Sequence, residues 1–257
     1  MRHFARRGGK LLSLALMTVW LGCGGKDLPV DATPDQVVEH VERLLERHDY
    51  FDAVELLEHL LRTHPGTALT PLAKLRLGDA RFGMEEYVLA QGEYEDLVSG
   101  YPGSAHVEEA RFKIALCSYE MAFPWDRDPT ETERALRLLD EFRRDYPESR
   151  FLARAEEAKA DCRRRLARRE FEAGRFYRKQ RRLRSAKIQF EYVVNRYPET
   201  PWAPKAALEI GEIYRIREKP DLAAQWFGTV VERWPESREA DFAEGALETL
   251  PAGVARR

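Results

Sequence analysis

The stretch NRYPET, Asn195 to Thr200, decides the fold, because close copies of it recur down the chain. SGYPGSA (99–105), RDYPESR (144–150) and ERWPESR (232–238) share its aromatic–proline pair and its hydroxyl residue two positions after the proline. RTHPGT (62–67) has the same company, with histidine in the aromatic place. The five prolines are Pro65, Pro102, Pro147, Pro198 and Pro235, so the successive intervals in numbering are 37, 45, 51 and 37. A period of this length marks stacked supersecondary units.

Outward from each proline the pattern is helical. Twelve positions before it stands Ala53, Ala90, Ala135, Ala186 or Ala223; eight before it, Leu57, Tyr94, Leu139, Phe190 or Phe227. Five before it stands Leu60, Leu97, Phe142, Val193 or Val230. Steps of four and three place all of them on one helix face. A second helix lies upstream. There Gly78, Gly174 and Gly211 hold one fixed offset ahead of Pro102, Pro198 and Pro235, and they leave room for close helix approach. Proline cannot continue a helix and biases its predecessor away from helical geometry, so it ends each second helix. The aromatic is expected to pack on the last turn, and the Ser or Thr two positions after the proline to cap the next helix.

The order Leu-Gly, Tyr, Ala, Phe, Pro resembles the tetratricopeptide repeat, and EIGEIY (209–214), AAQWF (223–227) and WPES (234–237) form a near-complete copy. The expected fold is all-α: a right-handed α-solenoid of about five tetratricopeptide-like helix-turn-helix repeats over residues 35–250, with 251–257 as a tail. Such units cannot bury their apolar faces alone and stack to form a groove.

Two intervals are long. The excess before Pro147 falls in MAFPWDRDPTE (121–131), read as a loop between the two helices of repeat three. Asp128, Pro129, Thr130 and Glu131 are predicted to close it as N-cap, N1 proline and capping box. The excess before Pro198 amounts to about four helical turns, which keeps the apolar face in phase. One long helix is therefore expected from about Glu148 to Lys179.

The N-terminus reads as an address. MRHFARRGGK is basic, LLSLALMTVWLG is apolar, and Cys23 follows Gly22. This is secretory signal-peptide grammar over 1–22, with an apolar run too short for a permanent span. Cys23 resembles the acylated cysteine of a bacterial lipobox, and residues 23–34 then form a lipidated polar tether. An ordinary signal peptide with an incidental cysteine is the other reading. Gly24, rather than Asp, implies by the same resemblance an outer-membrane destination.

The chain of 257 residues has 33% charged residues and a formal charge of −2. Residues 1–22 carry four cations and no acid, so everything beyond them stands at −6. A mildly acidic, exported body argues against nucleic acid as partner. Cys117 and Cys162, at one shared offset after Pro102 and Pro147, are expected as separate buried thiols. His40, His48, His59 and His64 lack metal-ligand spacing, no metal or cofactor is implied, and no catalytic constellation is present.

The irregularities carry a sharper resemblance. Five such units, the loop ending in Asp126-Arg127-Asp128-Pro129, the long helix through Arg163–Tyr177, Tyr146-Pro147-Glu148-Ser149, Tyr197-Pro198-Glu199-Thr200 and a lipobox-like start are similar to the BamD family, also called YfiO. The resemblance covers about 35–248 and implies a non-enzymatic scaffold at the periplasmic face of the outer membrane. It would belong to the β-barrel assembly machinery. Implied partners are a BamA-like barrel subunit held by the C-terminal repeats, other assembly-complex lipoproteins, and unfolded β-barrel substrates. Another repeat lipoprotein, for pilus assembly or the cell wall, is the alternative.

Residues 163–187 hold twelve Lys/Arg against two Glu. Arg168, Arg169, Arg175, Arg178, Lys179, Arg181, Arg182 and Arg184 are the candidate docking residues for an acidic partner. A solvated helix face and an anionic lipid surface remain open beside that reading. Loop residues Trp125, Asp126, Arg127 and Asp128 are a second candidate contact, with Trp125 either exposed to a partner or tucked against the solenoid.

Overall fold

The structure is a computed structural model that describes residues 32–251. Those residues form eleven helices and no strand. Five antiparallel pairs follow one another. They are α1 (Pro34–Glu46) with α2 (Tyr50–Thr63), α3 (Thr70–Gly83) with α4 (Tyr87–Gly100), and α5 (Val107–Met121) with α6 (Thr130–Asp145). Then come α7 (Leu152–Lys179) with α8 (Leu183–Arg196) and α9 (Trp202–Ile216) with α10 (Pro220–Arg233), and α11 (Arg238–Glu248) closes the stack. Helices pack on their chain neighbours, and first helices of adjacent repeats also meet, α5 with α7, α7 with α9 and α9 with α11. This is the one-dimensional stacking of a solenoid.

The repeated offsets are packing positions. All fifteen residues at the three offsets are buried. The upstream glycines explain the aromatic choices opposite them. A Cβ placed on Gly78, Gly174 or Gly211 would lie 2.7, 2.7 or 2.6 Å from Cδ1 of Tyr94, Phe190 or Phe227. A ring therefore fits at the inner position only where its partner helix has no side chain. Repeats one and three carry Val41 and Ala115 at the glycine place, and there the inner residue is Leu57 or Leu139.

The aromatic–proline segment makes a turn of fixed construction. The N–H groups of Tyr101, Tyr146, Tyr197 and Trp234 donate to the carbonyls of Leu97, Phe142, Val193 and Val230, closing each second helix. The residue two after the proline then donates its N–H back to the aromatic's carbonyl. Its hydroxyl caps the next helix only at Ser237, whose Oγ accepts from Ala240 N at 3.2 Å. Elsewhere the expected cap is replaced. Ser149 Oγ donates to Glu108 Oε1 at 2.6 Å and accepts from Phe151 N, and Thr200 Oγ1 donates to the Tyr197 carbonyl. Residues 147–151 are used by this turn, so α7 starts at Leu152 rather than near Glu148, while its end at Lys179 is as expected. The helix begins one residue later than expected, at Thr130, with Pro129 in the cap position rather than at N1; the Asp128 side chain accepts from the N–H and hydroxyl of Thr130, and Glu131 pairs with Arg134 at 3.8 Å instead of completing a capping box.

The turns inside repeats follow a second rule that has no glycine signal. His48, Glu85, Arg181 and Glu218 occupy one equivalent place in their repeats and have φ of 62°, 62°, 61° and 54°. Each sits at the C′ position of a Schellman turn. Asp49, Glu86, Arg182 and Lys219 N–H groups reach back to the carbonyls of Leu44, Arg81, Tyr177 and Tyr214 at 2.9–3.0 Å. In repeat three the 122–129 loop takes the place of this turn.

Cys117 and Cys162 are buried, unpaired thiols on α5 and α7, as expected. Burial pushes the pKa of each thiol up to about 12, so they stay protonated at neutral pH.

Two outcomes are expected from urea unfolding followed by circular dichroism. Gly211→Ala should destabilise by about 1–3 kcal/mol through overpacking against Phe227, although alanine favours helix by ~1 kcal/mol, and adding Phe227→Leu should recover part of the loss. Glu218→Gly should instead stabilise by roughly 1 kcal/mol or less, since glycine adopts positive φ without the steric penalty.

Candidate functional site

The cation-rich stretch divides into three groups when placed on the structure. The first is held by the protein's own groups. Arg163 forms a bidentate pair with Glu199, donates to the Arg196 carbonyl at 2.7 Å and lies 5.2 Å over the Tyr197 ring. Burial alone would raise the Glu199 carboxyl, but the Arg163 hydrogen bonds bring it below its usual value. Arg165, Arg168 and Arg169, spaced to share one face of α7, hold the 122–129 loop. Arg165 donates to the Ala122 carbonyl at 3.3 Å and pairs with Asp161 at 2.6 Å. The Arg168 guanidinium lies 4.5 Å from the Trp125 ring and 5.5 Å from Trp202. Arg169 donates to the Arg127 carbonyl at 2.7 Å.

Arg168 and Arg169 are thus committed to the protein itself, and Trp125 is half-buried beneath Arg168. Hydrogen bonds from the Thr130 hydroxyl and N–H hold the exposed Asp128 carboxyl below its usual value, with Arg169 nearby adding to the effect. Of the four loop candidates, Asp126, Arg127 and Asp128 are exposed and, among the described residues, make no salt bridge; Arg127 lies 5.7 Å from the Phe123 ring.

The second group lines a groove on the face of the first helices. Arg175 pairs with Glu172 at 3.2 Å and Arg178 with Glu209 of α9. With Phe176 and Lys179 they enclose a cleft of 530 Å³. A cleft of 430 Å³ adjoins it, sharing Glu172, Arg175 and Glu209 and extending over Trp202, Lys205 and Phe242 of α11. Phe176 and Phe242 are 57% and 54% exposed, leaving two aromatic rings beside fixed cations. Preordered arginines with adjacent aromatics are the composition of a protein-binding hot spot.

The third group is free. Lys179, Arg181, Arg182 and Arg184 are exposed and, among the described residues, form no salt bridge. Lys187, just beyond, pairs with Glu191 at 2.7 Å, and that hydrogen bond raises its pKa.

Sequence reading located the cations but not their counter-ions. Glu199 carries a signal, as the residue after proline in NRYPET. Glu209 and Phe242 carry none, since they meet α7 only through the stacking of α9 and α11. Cys23 lies outside the described residues.

The chain is similar to known proteins. The chain is 28% identical over 170 residues to the outer membrane protein assembly factor BamD of Caulobacter vibrioides, covering 66% of this chain and 56% of that protein, so this match spans little over half the relative's length. It is 24% identical over 242 residues to the protein of the same name from Rickettsia prowazekii, covering 91% of this chain and 95% of that one. Among solved structures, a thermophilic TPR protein of Thermus thermophilus superposes with a TM-score of 0.38 at 17% identity, over 84% of this chain and all of the other. The family described as YfiO, outer membrane lipoprotein, matches residues 30–225. That match spans most of the chain, including the whole of α7, and the chain belongs to the YfiO family of outer membrane lipoproteins.

Proposed function

We propose that this chain is a scaffold for assembly of β-barrel proteins into the outer membrane, held at the periplasmic face by an acyl group on Cys23. Membership of the YfiO family and the names of the two relatives support the reading. No helix of the described residues is long and apolar enough to cross a membrane. In this reading residues 1–22 act as the lipoprotein signal peptide and 23–34 as the tether.

The observation that carries the mechanism is the groove across α7, α9 and α11. Arg175 and Arg178 are already oriented by Glu172 and Glu209, so an incoming carboxylate meets cations whose ordering entropy is largely spent. Phe176 and Phe242 supply apolar anchors on either side. The partner this fits is an acidic periplasmic domain of a BamA-like barrel subunit. The remaining first helices offer a preformed face for unfolded barrel substrates and other assembly lipoproteins.

Two experiments test this reading. Tagged protein captured from its own membranes in mild detergent, with cross-linking and mass spectrometry, should bring down a large barrel with periplasmic domains cross-linked beyond residue 160. Phe176→Ala with Phe242→Ala should reduce that capture by roughly tenfold or more, as expected for two anchor residues. Recovery of pilus or cell-wall proteins instead would overturn the assembly role while leaving the solenoid intact. Separately, Cys23→Ala should abolish palmitate incorporation and release the protein from the membrane fraction.

A further inference from the structure

Equivalent positions in the turns inside repeats change sign along the chain. The N-cap of the second helix is Asp49 in repeat one and Glu86 in repeat two, but Arg182 in repeat four and Lys219 in repeat five. All four are exposed. Around the first two stand Glu46, Asp52, Glu55 and Glu85, exposed and, among the described residues, in no salt bridge. The cations nearby are engaged: Arg43 by Glu39, Arg47 by Asp49 and Arg81 by Glu58. Around the second two stand Arg181, Arg184 and Arg217, also exposed and in no salt bridge among the described residues, against Glu218 and Asp221 as exposed acids. Four free acids beside the acidic caps thus correspond to a net excess of cations at the basic ones.

The cations of repeat four are placed against local stability. A helix N-terminus favours acids. α2 has Asp52 in its first turn, whereas α8 has no acid there and carries Arg182 at the N-cap and Arg184 two residues on. A local rule broken at an exposed site points to a use for the cations beyond the fold. Apolar residues accompany both patches. Phe51 and Val88, 63% and 72% exposed, hold the place in repeats one and two that Arg184 holds in repeat four, with Leu89 beside Val88. Ile216, also exposed, ends α9 at the basic turn of repeat five. The patches differ in level as well as in sign. The 122–129 loop, on the same side of the stack as the turns of repeats one and two, is held by Arg169 of α7. α7 then continues to Lys179, so the turns of repeats four and five stand ~15 Å further out along it.

We propose that two copies of this chain pair about a two-fold axis, the α7–α8 and α9–α10 turns of each seated on the α1–α2 and α3–α4 turns of the other. A second copy fits this surface because its own repeats supply the opposite charges one repeat apart, as the acidic turns are. The step along α7 matches too: the projecting basic turns of one copy enter the recess over the acidic turns of the other, and the same contact forms twice, as a two-fold interface requires. The net acidic 122–129 loop is recessed in both copies and stands off the contact. Arg181, Arg182, Arg184, Arg217 and Lys219 do not line the clefts of the groove across α7, α9 and α11, so pairing and capture of a barrel subunit use different surfaces.

The test uses the full chain in its own membranes, produced as two copies with different tags and extracted in mild detergent. Capture of one tag should bring down the other. Reversing the basic turns in both copies (Arg181→Glu, Arg182→Glu, Arg184→Glu and Lys219→Glu) should reduce this capture by roughly tenfold or more, and so should reversing the acidic turns (Asp52→Lys, Glu55→Lys, Glu85→Lys and Glu86→Lys). One copy of each variant together should recover it, since both contacts then join opposite charges, a result that misfolded variants would not give. Val88→Cys with Arg184→Cys should cross-link through a short bismaleimide to a species of two copies, the buried Cys117 and Cys162 being shielded. Val88→Cys with Gly103→Cys, at an aromatic–proline turn, should not. Phe176→Ala with Phe242→Ala should leave the cross-link unchanged, which separates pairing from the groove. Monomers throughout, capture that survives both reversals, or no recovery in the mixed pair would overturn the proposal. A ladder of larger cross-linked species would also overturn it, in favour of an open head-to-tail chain.

Discussion

Each repeat depends on how closely its two helices approach, and the residue eight before the proline sets that distance. Where a glycine faces it, a Tyr or Phe ring packs closely against the neighbouring backbone, as in Gly78–Tyr94, Gly174–Phe190 and Gly211–Phe227. Where Val41 or Ala115 faces it, leucine fills the space. The pair is matched in volume because packed interiors tolerate neither a void nor an extra methyl. With this spacing fixed, the alanine and the aliphatic residue on the same stripe reach the next repeat, and stacking follows from the fold of each unit.

Much of this was legible in the chain because the relevant residues are punctuation. Prolines at regular offsets mark helix ends whatever their surroundings, and the long interval before Pro198 could be converted to whole helical turns. The Schellman turns were not legible, since His48, Glu85, Arg181 and Glu218 show nothing of their positive φ. The hydroxyl caps misled because Ser149 and Thr200 have other partners. Ser149 binds Glu108, a residue 41 positions away that only stacking brings near.

The docking residues show the same boundary between local and distant information. Composition alone located the cations of 163–187. Their division into arginines held by the protein, groove-lining arginines and free cations depends on counter-ions and rings from the α8–α9 turn, α9 and the 122–129 loop. An arginine stacked on Trp125 and one exposed at a turn look identical in sequence, yet one stabilises the protein and the other is free to bind something else.

The length of α7 has a mechanical consequence. Its first half, through Ala155, Ala158 and Cys162, belongs to the core of repeat three, and its second half, through Leu166 and Phe171, to the core of repeats four and five. At about 1.5 Å per residue its 28 residues span ~42 Å without a break. Two shorter helices joined by a turn would let the ends of the solenoid flex against each other. A single continuous helix acts as a splint. Whatever the N-terminal repeats grip is thereby held at a set distance and angle from whatever the C-terminal groove grips, and a displacement at one end is passed to the other as the movement of a rigid lever.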